Sequence, residues 1–429
     1  MTRAGRPGAH GADLRRAGLE ALRQLHSAHG YDASDAASGL YPALYGRDSL
    51  WVVLLLAESL ALVPDADVRE ELAQTGPTVL RSLAALQGER VDESIEEQPG
   101  RIPHEYHPTS PSAHAVDMRL PLVAGRSYGG FDETFLFVLA YDALVRTAAD
   151  EALAGELWPY VERALTWIAG DADPDGDGLF EYLRRNPANL LNEVWKDSFD
   201  AATHTGFDVP PQPLAWIEVQ AYGWRAMSLA ERWSSDRNDP VAAQAWRGRA
   251  DATAAATERA LWLGDEDGYA IAVDGHKEPI RMVASNPGHA LWAGAVPDEH
   301  VAPLVARMLQ PDLMSPYGLR TLSARSPYYA PFAYHRGAVW PFDNAVFTLG
   351  LVRHGRHAPA VDSAIRVISA LDRIASPVEC YAVVDGEHFV GEADAPARLC
   401  WRHWPVRNRV QAFSAAALVV CGAVVEALG

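Results

Sequence analysis

The residue types best suited to chemistry recur in front of six apolar segments, in the third case on the loop that leads to the segment. Each motif alone could be a helix N-cap, because Asp, Ser and Asn accept bonds from free N–H groups and Pro fits the first turn. The motifs also carry arginine, histidine and tryptophan, and together they favour a polar binding site. They are Gly46-Arg-Asp-Ser49, Gly129-Gly-Phe-Asp-Glu133, Trp195-Lys-Asp-Ser198, Ser285-Asn-Pro-Gly-His289, His335-Arg-Gly-Ala-Val-Trp-Pro-Phe-Asp-Asn344 and Pro405-Val-Arg-Asn-Arg-Val-Gln411.

The chemistry these motifs suggest is that of carboxylates among aromatic rings and arginines. The sequence has no Gly-x-Ser-x-Gly, no Gly-rich phosphate loop and no His-Glu-x-x-His. Hydrolysis of a glycosidic bond needs two carboxyl groups, one protonated and one ionised, across a gap the size of a sugar. Aromatic faces stack on sugars, and Arg and Asp side chains bind hydroxyls. The pattern therefore predicts a carbohydrate site.

Two alternating kinds of helix must position these motifs. Amphipathic helices are predicted near 11–29, 67–87, 155–170, 239–262, 298–309 and 358–375. Helices that are apolar nearly all round are predicted near 49–63, 132–147, 213–232, 287–295, 339–353 and 409–427. A helix without a polar face is buried on every side. The alternation predicts one all-α domain over 1–429, an (α/α)6 barrel, with a flexible tail at about 1–10. In the first helix, Arg15 is expected on the solvent side.

The long loops should open at one end of this barrel. Pro/Gly-rich stretches at 99–130, 183–213, 310–338 and 376–408 all precede apolar helices. Loops of this length are usually functional, and the positive helix N-termini beneath them favour carboxylates. Small β-excursions are predicted at 268–283 and 380–391.

The sequence resembles the C-terminal, amylo-alpha-1,6-glucosidase domain of glycogen debranching enzymes and, more distantly, other (α/α)6 glucosidases. The matching motifs keep the family's order over nearly the whole chain. They are the Gly46, Trp195 and Ser285 motifs above, Ile102-Pro-His-Glu105, Gly130-Phe-Asp132, Asp173-Pro-Asp-Gly-Asp-Gly-Leu-Phe-Glu-Tyr182, Glu218-Val-Gln220, His335-Arg-Gly-Ala-Val-Trp-Pro341 and Pro377-Val-Glu379.

The resemblance implies a role for individual residues. Asp197 matches the general acid, and Glu379 matches the general base that activates water on the opposite face of the sugar, so that the anomeric centre inverts. Arg47 and Asp48 match the pair that holds the non-reducing glucose. Further substrate-binding or supporting positions are His104, Glu105, Asp132, Trp195, Lys196, Glu218, Gln220, His335, Arg336 and Trp340.

Lys196 is one of only two lysines in the chain, the other being Lys277. A neighbouring ammonium would lower the pKa of Asp197, so burial against Trp195 would have to oppose it. The alternative is a surface lysine that points away.

Three departures from the family leave the substrate open. The family's Pro-Glu pair has an extra residue here, Pro377-Val-Glu379, and its final Cys-Pro-Gln-Ala-Trp run survives only as Asn408-Arg-Val-Gln-Ala-Phe413. An unusual insert runs from Glu105 to Gly125. Since the accompanying domains of debranching enzymes are missing, we expect a small α-glucoside or oligosaccharide as substrate rather than glycogen.

A metal is not required by this interpretation. Asp173, Asp175 and Asp177 match the first half of a calcium loop, but position twelve would be Arg184, which cannot be the bidentate ligand. A turn in which the Asp side chains bind their own backbone explains the stretch as well, so calcium stays a weak candidate. We expect no cofactor.

Composition limits the partners. The formal charge of −19 disfavours nucleic acid and anionic membranes, and no apolar run is long enough for a membrane span. Cys380, Cys400 and Cys421 form neither a CxxC pair nor a disulfide framework. Residues 1–26 lack the apolar core of a signal peptide. We expect a cytoplasmic protein that binds carbohydrate, with its oligomeric state open.

Two rival functions remain open on the sequence alone. The first is a sugar epimerase or isomerase on the same barrel, with acid and base drawn from His104, His289, His335 and His403. The second is a carbohydrate-binding protein without catalytic activity, which the altered final motif suggests.

Overall fold

The computed structural model describes residues 7–36, 40–111, 115–116, 120–206, 208–384, 387–389 and 408–429. Helices of two kinds alternate along this part of the chain. The outer helices are α1 Pro7–Arg23, α3 Ala66–Ala85, α5 Glu151–Ala169, α7 Pro240–Leu261, α9 Asp298–Met308 and α11 His357–Ile374. The inner helices are α2 Gly46–Leu62, α4 Glu133–Ala148, α6 Ile217–Asp236, α8 Pro287–Ala293, α10 Pro341–Arg353 and α12 Ala412–Leu428.

The inner helices form a closed ring. Each packs on the next, from α2 through α4, α6, α8 and α10 to α12, and α12 packs back on α2. Apolar side chains from all of them meet in one buried core. The predicted (α/α)6 barrel is confirmed, because a ring of buried helices is enclosed by amphipathic ones.

The ring closes where the first helix meets the last. A Cβ placed on Gly422 of α12 would lie 2.7 Å from the Gly11 carbonyl oxygen of α1, so the two backbones approach too closely for a side chain. Arg15 of α1 is buried there and donates to Asp65 at 2.8 Å and to Glu426 at 2.5 Å. The prediction that Arg15 faces solvent is therefore wrong: two acidic partners compensate its burial.

Side-chain caps occur on three of the outer helices. Asp65, Asp150 and Asp239 cap the outer helices α3, α5 and α7 with their carboxylates. None of the inner helices is capped by the side chain of its own N-cap residue. The polar residues at the N-cap positions of the inner helices are therefore not engaged in capping by their side chains.

Short strands pin the loops at the mouth. The strands are β1 His26–Ser27, β2 Gly30–Tyr31, β3 Leu44–Tyr45, β4 Glu105–Tyr106, β5 Arg126–Ser127, β6 Ala215–Trp216, β7 Trp262–Leu263, β8 Gly268–Tyr269, β9 Ala272–Val273, β10 Pro279–Ile280, β11 Met314–Ser315, β12 Gly318–Leu319, β13 Ala382–Val384 and β14 Glu387–Phe389. All pairings are antiparallel, in the sheets β3–β4–β5 and β10–β9–β6 and in four hairpins. Strands occur in both predicted β-excursions.

The tail predicted for 1–10 overlaps the start of α1, and residues 1–6 lie outside the described part. No helix within the described ranges combines the length and apolar character that crossing a bilayer requires.

Candidate active site

Acidic side chains begin four of the inner helices. Asp48 lies in the first turn of α2, Glu133 in that of α4, Glu218 in that of α6 and Asp343 in that of α10. All four side chains are buried. Helix N-termini favour negative charge, so the barrel itself stabilises a cluster of carboxylates at this end.

Arg47 is the cation at the centre of the cluster. Its Nε and Nη2 donate to Asp132 at 2.9–3.0 Å, Nη2 lies 3.3 Å from Glu133, and Nη1 reaches Asp197 at 3.5 Å. Burial opposes ionisation of Glu133, but Arg47 and His104 outweigh it and lower its pKa to about 2. For Asp132, burial and the Glu133 charge prevail over Arg47 and raise the pKa. The Arg47 guanidinium therefore contacts three carboxylates, those of Asp132, Glu133 and Asp197.

Asp48 lies beside this group and is held separately. Gln411, the N-cap residue of α12, donates to Asp48 Oδ1 at 2.6 Å. Burial raises the pKa of Asp48 to about 6, although Arg47 and Gln411 oppose the shift. Its carboxylate can therefore gain or lose a proton near neutral pH.

Glu379 lies in the loop after α11 and is surrounded by donors. Tyr334 donates its hydroxyl to one carboxylate oxygen. Asn408 donates its amide to the other at 3.1 Å and its backbone N–H at 3.4 Å. Hydrogen bonds from several donors stabilise an ionised carboxylate. This environment suits a group that must accept a proton.

Asp197 differs from Glu379 in its exposure. The Asp197 side chain is 28% exposed, whereas Glu379 as a residue is only 2% exposed. Burial, together with the negative charges of Glu379 and Asp197, raises the pKa of both Tyr41 and Tyr334. Both carboxylates therefore act on the same two phenols, although 182 positions separate them in the sequence, from 197 to 379.

Aromatic rings line the wall next to Asp197. Trp195 meets the rings of His335 and Trp340 edge-on at 5.5 and 5.8 Å between centroids, and His335 stacks on Trp340 at 5.1 Å. The Trp340 indole donates to the Tyr334 carbonyl at 2.8 Å. Aromatic walls of this kind can stack on a sugar ring and exclude water.

Comparison with known proteins identifies the family of this chain. The sequence profile of the mannosylglycerate hydrolase MGH1-like glycoside hydrolase domain family matches residues 89–393. The chain belongs to this family. A search of curated protein sequences finds no match.

Solved structures that resemble this family member include a GH63 mannosylglycerate hydrolase from Thermus thermophilus. Its complex with glucose is 19% identical, with a TM-score of 0.66 over 95% of this chain and 99% of that one. Its complex with Tris and D-glycerate is 17% identical, with a TM-score of 0.67 over the same shares. At these identities the likeness shows the fold. The predicted class, a barrel glycosidase, is confirmed, but the matching family is the MGH1-like one rather than the debranching-enzyme domain.

Lys196 of this MGH1-like chain lies in the interior of the protein. It is fully buried, and its ammonium donates to the Thr321 carbonyl at 2.7 Å. Burial lowers its pKa to about 8, against the charges of Asp343 and Glu218. The alternative of a surface lysine that points away is therefore wrong.

Other predicted site residues of the family member occupy supporting positions. Glu218 accepts from Asn286 at 3.0 Å, and Asn286 is the N-cap residue of α8 but makes no capping bond with its side chain. His104 contacts Glu133 at 2.8 Å, Glu105 contacts His107 at 2.7 Å, and Arg336 is paired with Asp200 at 2.7 Å.

Gln220 was predicted as a substrate-binding or supporting residue, and in the structure its side chain bonds to the backbone. Its carboxamide accepts from the Phe180 backbone at 2.8 Å and donates to the Phe180 and Trp216 carbonyls at 2.6 and 3.2 Å. Its polar atoms are thus taken up by the backbone, and Gln220 braces the end of the 173–182 loop.

The histidines of the rival epimerase are committed to internal contacts. His289 bonds to Asp343 at 2.9 Å and to Tyr222 at 2.5 Å, and burial lowers its pKa. Burial also lowers the pKa of His335 well below its usual value. His403 lies outside the described residues.

The acidic loop after α5 already contains a cation. Lys277 places its ammonium 2.7–3.0 Å from Asp175, Asp177 and Glu181. Asp173 accepts from the backbone of Gly176 and Gly178 at 2.9 and 3.1 Å. The three aspartates lie close enough together to hold an ion, but their contacts match the expected turn better than a calcium loop.

Sequence reasoning missed several polar groups around the two carboxylates. Tyr334, Asn408, Gln411 and Glu133 all contact Arg47, Asp48 or Glu379. A signal did exist for three of them: Glu133 belongs to the Gly129 motif, and Asn408 and Gln411 belong to the Pro405 motif, but none of the three was given a role. Tyr334 directly precedes the His335 motif.

Proposed function

We propose that this family member is an inverting glycoside hydrolase that cleaves an α-linked hexose from a small aglycone. The observation that carries the proposal is that both carboxylates belong to one aromatic cluster: Tyr334, which donates to Glu379, and Trp195, two residues before Asp197, both pack on the Trp340 ring. The more exposed Asp197 protonates the leaving oxygen, and the donor-rich Glu379 takes a proton from water. Inversion needs a water between the sugar and the base.

The remaining residues divide the binding of the sugar among them. Arg47 and Asp48 bind hydroxyls of the terminal hexose at the first turn of α2. Trp195, His335 and Trp340 supply an apolar face beside Asp197. Catalysis in this scheme uses side chains of the protein and water, without a cofactor. The cytoplasmic location stays a prediction from the sequence.

The relatives suggest where to look for the substrate. The Thermus thermophilus enzyme is described as a mannosylglycerate hydrolase, and its structures contain glucose and D-glycerate. We therefore propose α-hexosyl glycerates as the first substrates to test. The α-1,6-glucoside isomaltose represents the resemblance to debranching enzymes.

The test is an NMR survey of hydrolysis with wild type and two variants. We expect wild type to release hexose from at least one α-hexosyl glycerate or α-glucoside. Asp197→Asn and Glu379→Gln should each lower kcat by at least about 10²-fold, the usual contribution of one acid–base group. Asp236→Asn, at an exposed position near the end of α6, is the matched control and should retain full activity.

Three results would count against the proposal. Full activity in Asp197→Asn or Glu379→Gln would remove the assigned roles. An isomerised sugar without hydrolysis would favour the epimerase, and binding of the panel without turnover over hours would favour a carbohydrate-binding protein.

A further inference from the structure

The residue before Asp197 is held in place by contacts in the protein interior. Lys196 buries its whole side chain and donates to the Thr321 carbonyl at 2.7 Å. The same ammonium lies 4.9 Å from the centroid of the Trp195 ring. A buried ammonium needs partners of this kind, because an uncompensated charge in the interior is strongly unfavourable.

The residue after Asp197 is held in place as well. The Ser198 backbone N–H donates to His335 Nδ1 at 3.2 Å, and the Ser198 hydroxyl lies 2.9 Å from the same nitrogen. Since Nδ1 accepts from an N–H, it carries no proton, which agrees with the lowered pKa of His335.

Both tethers end on the same folded loop in front of α10. Thr321 donates its backbone N–H to the Ala338 carbonyl at 3.0 Å, and its hydroxyl accepts from the Gly337 N–H at 2.9 Å. Thr321 and His335 are therefore joined through neighbouring residues. The Asp197 carboxyl extends from the backbone between these two tethers and lies 3.5 Å from Arg47 Nη1.

We propose that Lys196 and His335 are positioning residues that clamp the backbone on either side of Asp197 and so aim its carboxyl at the leaving oxygen. This inference rests on the proposed function, in which Asp197 is the general acid. In this proposal Lys196 fixes the position of the backbone through its hydrogen bond to the Thr321 carbonyl. Charges on Glu218 and Asp343 stabilise the buried ammonium.

A positioning role predicts a loss that depends on the leaving group. An alkoxide leaving group needs a correctly placed proton donor, whereas fluoride leaves with little protonic help. A displacement of about 1 Å can cost about 10²-fold in rate. We therefore expect Lys196→Met to lower kcat on the O-glycoside by about 10- to 10²-fold and on the matching α-glycosyl fluoride by less than about threefold.

Two reference variants make the measurement interpretable. Asp197→Ala should show the same preference for the fluoride in a stronger form. Asp236→Asn, at the exposed last residue of α6, should leave both rates unchanged. If Asp197→Ala loses both rates equally, the proposed acid role fails. If Asp197→Ala spares the fluoride but Lys196→Met does not, only the clamp fails.

A second pair of variants covers the case in which Lys196→Met does not fold. His335→Leu removes the acceptor for Ser198, while the Asn oxygen in His335→Asn can replace Nδ1. The clamp requires the ratio of fluoride to O-glycoside rates to rise in His335→Leu and to return toward wild type in His335→Asn. Equal ratios in both, or unchanged rates in Lys196→Met, would overturn it.

Discussion

At the scale of single residues, one cation of the candidate site, Arg47, contacts several carboxylates. Arg47 contacts Asp132, Glu133 and Asp197, while Asp48 has the neutral Gln411 as its direct donor. Such crowding shifts pKa values in opposite directions. The carboxyls of one site can therefore be present as acid and as base at the same pH, which acid–base hydrolysis requires.

Asp48 gives a pH prediction. Its pKa is raised to about 6 by burial, so kcat/KM should fall as pH drops through about 6, where Asp48 gains a proton and accepts fewer sugar hydroxyls. Gln411→Leu removes a donor that favours the carboxylate and should move this acidic limb upward by about 0.5–1 pH unit. The measurement is kcat/KM against pH for wild type and Gln411→Leu.

The stability consequence of the same shift has a definite sign. The folded pKa of Asp48 lies above the ordinary value of 3.8. Its contribution to the free energy of unfolding is therefore fully present at low pH and is lost as pH rises through about 6. In the kcat/KM profile, an acidic limb that stays at the same pH in Gln411→Leu would contradict the assignment to Asp48.

The sequence could identify the side chains that lie near their own helix starts. Arg47, Asp48 and Asp132 could be found because their helices position them locally. Tyr334, Asn408 and Gln411 escaped because their contacts form only when distant loops meet. Lys196 was found as an unusual residue, but its direction depends on Thr321, which is far away in the sequence.

At the scale of elements, the alternation of amphipathic and apolar segments predicted the helices of the described ranges, and the boundaries moved for local reasons. The first helix, expected to reach residue 29, ends at Arg23 because the chain turns there to pair β1 with β2. Gly30 has φ 110° in that turn. The helix expected over 287–295 ends at Ala293, because Gly294 is left-handed with φ 77°.

Closure of the ring at α1 and α12 gives a stability prediction. Gly422→Ala would place a Cβ 2.7 Å from the Gly11 carbonyl oxygen, so the helices must separate, at a cost of about 1–3 kcal/mol. Gly248→Ala is the matched control, since nothing lies within 4 Å of its Cβ position in α7. That change should stabilise the helix by about 0.5–1 kcal/mol.

Chemical denaturation of both glycine variants provides the check. The prediction is a lower free energy of unfolding for Gly422→Ala and an equal or higher one for Gly248→Ala. If Gly422→Ala is as stable as wild type, α1 does not close the ring as tightly as the geometry requires.

At the scale of the whole molecule, a closed ring of buried helices supports a single mouth built from many loops. The pattern of the sequence was enough for the ring and for the class of ligand, because both follow from residue types that repeat. The substrate is different, because it depends on the detailed shape of the mouth.

The central claim is that Asp197 and Glu379 act from opposite faces of one sugar, with a water molecule on the side of Glu379. Time-resolved proton NMR of wild-type hydrolysis of the best α-linked substrate tests it most directly, because the first anomer released records the face that water attacks. The account predicts that the β anomer appears first and the α anomer follows only by mutarotation. Release of the α anomer first would contradict it.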